Sequence, residues 1–129
     1  MRKYSLHEPK MGSDEALYVQ KCINTGWLSP SGNFVKNFKK SLNDFTNSDI
    51  VLTNSGTSAL HLSLILANVK MNDEVIVPTI TFVATINAVL YKGASPIFMD
   101  CKKNNPNIDI ENVINFLKQN TFIKKKNCI

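Results

Sequence analysis

Three short apolar runs in the second half of the chain constrain the fold more than any other feature. They are "IVL", "EVIVP" and "PIFM", with starts at Ile50, Val75 and Ile97 that are 25 and 22 residues apart. Each run is followed by a polar or Gly/Pro joint and then by a helical pattern. The spacing accommodates a strand, a crossover helix and a return, and continuous apolar runs favour strands that are covered on both faces. The sequence therefore predicts parallel, right-handed βαβ units.

Helical periodicity predicts two helices before these runs and three between or after them. The predicted ranges are 13–25, 33–46, 57–68, 82–92 and 110–119. Ser13 and Asp109 are candidate N-caps, and Gly26 and Gly93 are candidates for ending helices. The predicted apolar stripes are Phe34, Val35, Phe38, Leu42 and Phe45 in the second helix, Phe82, Ile86, Val89 and Leu90 in the fourth, and Ile110, Val113, Ile114 and Leu117 in the fifth. The fold class is α/β, a parallel βαβαβα arrangement preceded by two helices.

Length and composition predict a single soluble domain. The chain has 129 residues, of which 43% are hydrophobic, and no internal repeat or linker divides it. No apolar run reaches the length of a membrane span or of a secretory signal, so we expect a cytoplasmic protein without a membrane partner. The three cysteines, Cys22, Cys101 and Cys128, are odd in number and widely spaced, which fits neither a disulfide framework nor a zinc site, and a reducing compartment is the simpler interpretation.

The net charge of +5 raises the question of nucleic acid binding. The basic residues are spread along the chain, and the denser groups are Lys36, Lys39 and Lys40 and a lysine run at 124–126. The first group lies on the polar side of the second predicted helix, where a solvated face is the favoured interpretation over contact with a phosphate backbone. We expect no nucleic acid partner.

The joint after the first apolar run, "LTNSGTSALHLSL" at 52–64, is a candidate anion site. If a helix begins here, the backbone N–H groups of Gly56, Thr57 and Ser58 are the free donors of its first turn and point outward at the positive end of the helix dipole. A phosphate fits such a site, but Ser, Thr and Gly are also ordinary capping residues, and both interpretations remain open. His61, among leucines in the same helix, is expected to be a packed residue. The dinucleotide and P-loop fingerprints are absent.

Phe82 follows the second predicted strand at the carboxyl edge of the sheet, the same edge as the 55–58 joint. Ligands of open α/β sheets collect along this edge. Phe82 either forms one wall of a pocket and stacks on a flat ring, or is a core residue at the start of a helix.

Several of these segments together resemble the N-terminal part of the DegT/DnrJ-type sugar aminotransferases, from about residue 26 to about residue 117. The segments are "GWLSPSGNFVKNF", "SGTSALHLSL", "NDEVIVPTITFVATINAVLYKGASPIFMDC" and "NIDIENV". The resemblance implies part of a large domain of aminotransferase fold type I, with pyridoxal 5′-phosphate (PLP) as cofactor. It also implies a keto-sugar nucleotide and glutamate as substrates, and a homodimer. The sequence of these segments is most similar in appearance to that of members that make 4-amino sugars for bacillosamine-like or legionaminic-type glycans.

The resemblance also implies roles for single residues. Thr57 and Ser58, with Gly56, match the positions that bind the cofactor phosphate, and Phe82 matches the aromatic residue stacked on the pyridine ring. Trp27, Leu28 and Ser29 match a loop near the active site, which implies substrate contacts for Trp27 and Ser29, although a structural role is an equal alternative.

The family's Schiff-base lysine and the aspartate at the pyridine nitrogen match nothing in this sequence, and Asp100 is not taken for that aspartate. We therefore assign no catalytic residue. The expectation is that residues 1–129 are a truncated N-terminal portion of the large domain, without a second domain and inactive alone. The alternatives are a non-catalytic module that binds a phosphorylated ligand, and a partner that pairs with a full-length relative.

Overall fold

A computed structural model describes residues 7–122 of the chain. Cys128 and the lysine run at 124–126 therefore lie outside the described residues. The elements are α1 (Asp14–Thr25), α2 (Asn33–Thr46), α3 (Gly56–Leu66), β1 (Glu74–Pro78), α4 (Val83–Tyr91), β2 (Ser95–Met99), β3 (Cys101–Lys102), β4 (Asn105–Ile108) and α5 (Ile110–Asn120). They form two units, one up to Leu52 and the other from Thr53. All five predicted helices are present. No helix within residues 7–122 is both long and apolar enough to cross a bilayer.

The first unit consists of α1, α2 and their connections. Gly26 ends α1 in the left-handed conformation, with φ 70°, and donates its N–H to the Ile23 carbonyl at 3.1 Å, which confirms the prediction for this glycine. Ser13 does not cap α1. Its backbone is already helical, and its hydroxyl donates to the Asp14 carboxylate at 3.4 Å instead.

The apolar side of α2 is largely exposed in the described part of the chain. The Phe34 ring meets Tyr18 of α1 edge-on, with centroids 5.2 Å apart, but Phe45 is 87% exposed. The periodicity predicted the helix and its two sides, whereas the prediction of a strand at 50–52 was wrong. These residues pair with no strand in the described range 7–122, and the Ile50 N–H donates to the Asn43 side chain at 3.0 Å. A strand exists only where a neighbouring backbone completes its ladder.

The second unit contains the predicted parallel pair. β1 and β2 are in register from Glu74 opposite Ser95 to Pro78 opposite Met99, and α4 is the crossover between them. Val77, Val89 and Ala94 form the buried core, against which Leu64, Val69 and Val75 pack. The βαβ unit is therefore confirmed for the second and third apolar runs.

The carboxyl-terminal ends of α3 and α4 meet at the amino edge of this sheet. Asn72, in the turn after α3, donates its N–H to the Gly93 carbonyl at 2.9 Å, and Ser95 donates to the Asp73 carbonyl at 2.8 Å. Gly93 ends α4 with φ 66°, as predicted. Since α3 packs along α4, the amino-terminal ends of both helices lie toward the carboxyl edge of the strands.

The sequence did not predict the hairpin that follows β2. β3 and β4 are antiparallel, with Cys101 opposite Ile108. Asp109 then caps α5 as predicted, because its Oδ1 accepts the N–H groups of Glu111 and Asn112 at 3.0 and 3.3 Å.

Two of the predicted buried stripes are only partly buried. In α5, Val113 is half-buried, whereas Ile110, Ile114 and Leu117 are exposed. In α4, Val89 is buried and Ile86 half-buried, whereas Phe82 and Leu90 are exposed. Periodicity identifies an apolar side, but burial also needs an element that covers it, and none in residues 7–122 covers these side chains.

Candidate functional site

The 53–58 joint turns an extended backbone into helix α3, and Ser55 is the residue at which the change occurs. Ser55 is extended, with φ −159° and ψ 159°, and its Oγ accepts the Ser58 N–H at 3.2 Å. The Ser55 carbonyl accepts the N–H of Ala59 at 3.1 Å, which is the first helical hydrogen bond. Ser55 is therefore the N-cap of α3, which confirms that this joint has a capping role.

The serine hydroxyls of the joint are used within the joint. Ser55 Oγ donates to Ser58 Oγ at 3.0 Å, and Ser58 Oγ donates to Asn54 Oδ1 at 2.8 Å. Thr53 Oγ1 donates to the Ser55 carbonyl at 3.0 Å. The expectation of a free N–H at Ser58 was therefore wrong, because a nearby side chain accepts it.

Three donors at the start of α3 have no acceptor within residues 7–122. They are the N–H groups of Gly56 and Thr57 and the hydroxyl of Thr57. A side chain added at Gly56 would meet nothing within 4 Å, so the space on that side of Gly56 is open. The helix dipole adds a partial positive charge at the same place. The donor set and its field fit a phosphate, and capping does not compete for these three groups.

Phe82 begins the neighbouring helix α4 and is its N-cap residue, with φ −73° and ψ 143°. Its side chain is 79% exposed, which excludes the core interpretation that the sequence left open. Because Phe82 lies at the amino-terminal end of α4, it shares the carboxyl edge of the strands with the start of α3. An exposed phenyl ring at this edge can stack on a flat ligand ring.

Asp100 is a residue of this edge whose contacts were not foreseen in the sequence. Its Oδ1 accepts the Cys101 N–H at 2.8 Å and the Thr79 hydroxyl at 3.2 Å. The hydrogen bond from the Cys101 backbone, then that from Thr79, and then one from the Cys101 side chain hold the pKa of Asp100 below its ordinary value. The available signal was its position directly after an apolar strand.

His61, as expected, is half-buried and packed. Its ring meets Tyr91 of α4 edge-on, with centroids 5.8 Å apart. Lys70 and Lys92 follow α3 and α4, and both therefore lie toward the amino edge of the strands, opposite the start of α3.

Trp27 and Ser29 lie in the first unit. Trp27 and Leu28 are exposed, and Ser29 Oγ accepts the Ser31 N–H at 3.4 Å. Side chains of both helices line a groove beside Trp27, namely Lys21, Thr25, Asn33, Phe34 and Asn37. The role of Trp27 and Ser29 in substrate binding stays a prediction.

Residues 9–126 match the DegT/DnrJ/EryC1/StrS aminotransferase family. The chain belongs to this family. A GDP-perosamine synthase from Escherichia coli O157:H7 is 37% identical over 78% of this chain. An aminotransferase from Psychrobacter cryohalolentis has 28% identity and a TM-score of 0.76 over 88% of the chain. The E. coli GDP-4-keto-6-deoxy-D-mannose-3-dehydratase with bound hydrated PLP has 25% identity and a TM-score of 0.75 over 88%.

The alignments cover most of this chain but less than a third of each relative. The chain spans 28% of the length of the E. coli synthase, 29% of the Psychrobacter enzyme and 31% of the dehydratase. These likenesses confirm the α/β fold class as part of a PLP-dependent aminotransferase fold.

Proposed function

We propose that this chain forms the part of a PLP-dependent aminotransferase that holds the cofactor's phosphate and one face of its pyridine ring. The observation that carries the proposal is the set of three open donors at Gly56 and Thr57, on the same sheet edge as the exposed ring of Phe82. Either feature alone is common in proteins. Their combination in a chain of this family favours the cofactor over an unrelated anion.

The residues fit the cofactor in two places. The phosphate would accept hydrogen bonds from the N–H groups of Gly56 and Thr57 and from the Thr57 hydroxyl, which are charge-assisted bonds at a helix N-terminus. Ser58 would support the turn through its bonds to Ser55 and Asn54 rather than through a free amide. Phe82 would stack on the pyridine ring and fix its plane. When bound, the cofactor supplies an electron sink for a carbanion next to nitrogen.

The proposed substrate is a keto-sugar nucleotide, with glutamate as amino donor, and the proposed assembly is a homodimer. The support for the substrate class comes from relatives whose names contain a GDP-linked amino sugar and a GDP-linked 4-keto sugar. We place no catalytic residue in the described part of the chain. Lys70 and Lys92 are poor candidates for the lysine of the reaction, because they lie toward the opposite edge of the sheet. A cytoplasmic location agrees with the free thiols of Cys22 and Cys101.

Residues 1–129 alone are expected to be inactive, so the activity is tested with the complete protein purified from its natural source and supplied with PLP, [15N]glutamate and GDP-4-keto-6-deoxymannose. We expect the label to appear in an amino-sugar nucleotide and 2-oxoglutarate to form in equal amount, with mass spectrometry as the measurement. A deoxygenated sugar nucleotide without the label would indicate a dehydratase instead. If neither substrate is consumed, the proposed transamination is wrong, and only the cofactor-binding part of the proposal stands.

A further inference from the structure

The four-residue loop 79–82, which joins β1 to α4 and presents Phe82, is held at both ends. At its start, the Thr79 N–H donates to the Met99 carbonyl at 3.0 Å, across from the end of β2. At its end, the hydroxyls of Thr81 and Thr85 share a hydrogen bond of 2.9 Å, and the Thr85 N–H donates to the Phe82 carbonyl at 3.0 Å. The backbone that carries the phenyl ring is therefore fixed by contacts on either side of it.

Asp100 supplies the side-chain contact at the start of this loop. Its Oδ1 accepts the Thr79 hydroxyl across the sheet edge at 3.2 Å and the Cys101 N–H at 2.8 Å. Its carbonyl accepts the N–H of Asp109, the N-cap of α5, at 2.9 Å. A single residue thus joins the end of β2 to the loop that bears Phe82 and to the first turn of α5.

We propose that Asp100 is a positioning residue, which fixes the 79–82 loop through Thr79 and so sets the orientation of the Phe82 ring toward the cofactor. The inference rests on the proposed function, because it takes Phe82 to be the stacking ring. Asp100 is charged at neutral pH, as an ordinary aspartate is, and the hydrogen bonds from Cys101 and Thr79 lower its pKa further, so it accepts the Thr79 hydroxyl as a charged group. Asp100 itself touches no ligand in this account.

Four substitutions, one of them a control at a distant aspartate, distinguish a positioning role of Asp100 from a general effect on stability. Asp100→Ala and Thr79→Val each remove one side of the contact, whereas Thr79→Ser keeps the hydroxyl. Asp73→Ala is a matched control. The Asp73 carboxylate also accepts a backbone N–H, that of Lys70 at 2.8 Å, but lies at the amino edge of the sheet.

The measurement is the affinity of the 129-residue chain for pyridoxine 5′-phosphate and, separately, for inorganic phosphate. Pyridoxine 5′-phosphate carries the ring and the phosphate but no aldehyde that would react with surface lysines. We expect Asp100→Ala and Thr79→Val to weaken its binding about three- to tenfold, the effect of one hydrogen bond, and to leave phosphate binding unchanged. Thr79→Ser and Asp73→Ala should match the unmodified chain.

A double-mutant cycle that combines Asp100→Ala with Phe82→Leu is the decisive test. Without the phenyl ring there is nothing for Asp100 to orient, so Asp100→Ala should have no further effect in the Phe82→Leu background. Independent losses that add in the double variant would overturn the inference. An unchanged affinity in Asp100→Ala, beside a weakened Phe82→Leu, would overturn it as well.

Hydrogen exchange at the Thr79 amide tests the inference without any ligand. This N–H is bonded to the Met99 carbonyl, and its exchange should be faster in Asp100→Ala and Thr79→Val but not in Asp73→Ala. Unchanged exchange in both variants would contradict the positioning role, whether or not the chain binds a ligand. Failure of the unmodified chain to bind pyridoxine 5′-phosphate, with the exchange result as expected, would instead contradict the proposed function.

Discussion

Replacement of Gly56 by proline is expected to weaken the binding of inorganic phosphate by the chain about 10- to 100-fold, the effect of losing one hydrogen bond to a charged group. Gly56 is the first residue of α3, and its N–H has no acceptor within residues 7–122. Proline at this position removes only that donor. Isothermal titration with phosphate, at fixed ionic strength, measures the change.

The fold is expected to tolerate this substitution. Proline is favoured at the first position of a helix, since its fixed φ matches the helix and the missing N–H breaks no helical bond. Proline also requires an extended residue before it, and Ser55 has that conformation, with ψ 159°.

Gly56→Ala is the matched control for this experiment. Alanine keeps the N–H, and its Cβ would enter open space, because nothing lies within 4 Å of that position. We expect the phosphate affinity of Gly56→Ala to equal that of the unmodified chain. Equal affinities for all three proteins, with unchanged circular dichroism, would show that the Gly56 amide does not contact the anion.

Val89→Ala is expected to lower the free energy of unfolding by about 2 kcal/mol, from the two lost carbon atoms and the cavity that they leave. Val89 is only 2% exposed and forms the buried core with Val77 and Ala94. This core is small, so a single cavity removes a large part of its packing. Urea denaturation followed by circular dichroism measures the loss.

Val83→Ala makes the same change on the same helix at a residue that is 58% exposed. We expect its unfolding midpoint to stay within experimental error of the unmodified chain, because little apolar area is removed from the interior. If both substitutions shifted the midpoint equally, the buried cluster around Val89 would not be the core of the second unit.

The features that the sequence predicted best are those decided by a few neighbouring residues. Asp109 caps α5 because a carboxylate two and three residues before free N–H groups can reach them, whatever the rest of the chain does. Gly26 and Gly93 end helices because a left-handed residue is easiest for glycine. The parallel pair was also predictable, since the length of the crossover and the continuous apolar runs have few other solutions.

The features that the sequence did not predict depend on partners distant in the chain or on competition at close range. The apolar run at residues 50–52 predicted a strand, but no neighbouring strand pairs with it in the described residues. The amide of Ser58 looked free in the sequence, whereas the hydroxyl of Ser55 accepts it. The contact of Asp100 with Thr79 joins the ends of two strands and is visible only when both are placed side by side.

The phosphate site stays a prediction, and the structure describes only the hydrogen bonds of its candidate residues. Which residues form the first turn of α3 follows from local sequence, but which of their donors remain open depends on side-chain geometry. The structure gives the Ser58 N–H an acceptor, the Ser55 hydroxyl, and gives none within residues 7–122 to the N–H groups of Gly56 and Thr57. Trp27 and Ser29 show the opposite case, since their proposed role comes from the family resemblance and no contact of theirs decides it.

Comparison of pyridoxine 5′-phosphate with pyridoxine as ligands of the unmodified chain tests the central claim most directly. The two compounds share the ring and differ in the phosphate group, which we propose binds at the start of α3. We predict that the phosphorylated compound binds at least 100-fold more tightly, about 3 kcal/mol or more, and that inorganic phosphate competes with it. Equal affinity for both compounds, or binding of pyridoxine 5′-phosphate that added inorganic phosphate does not weaken, would contradict the proposed phosphate site at the start of α3.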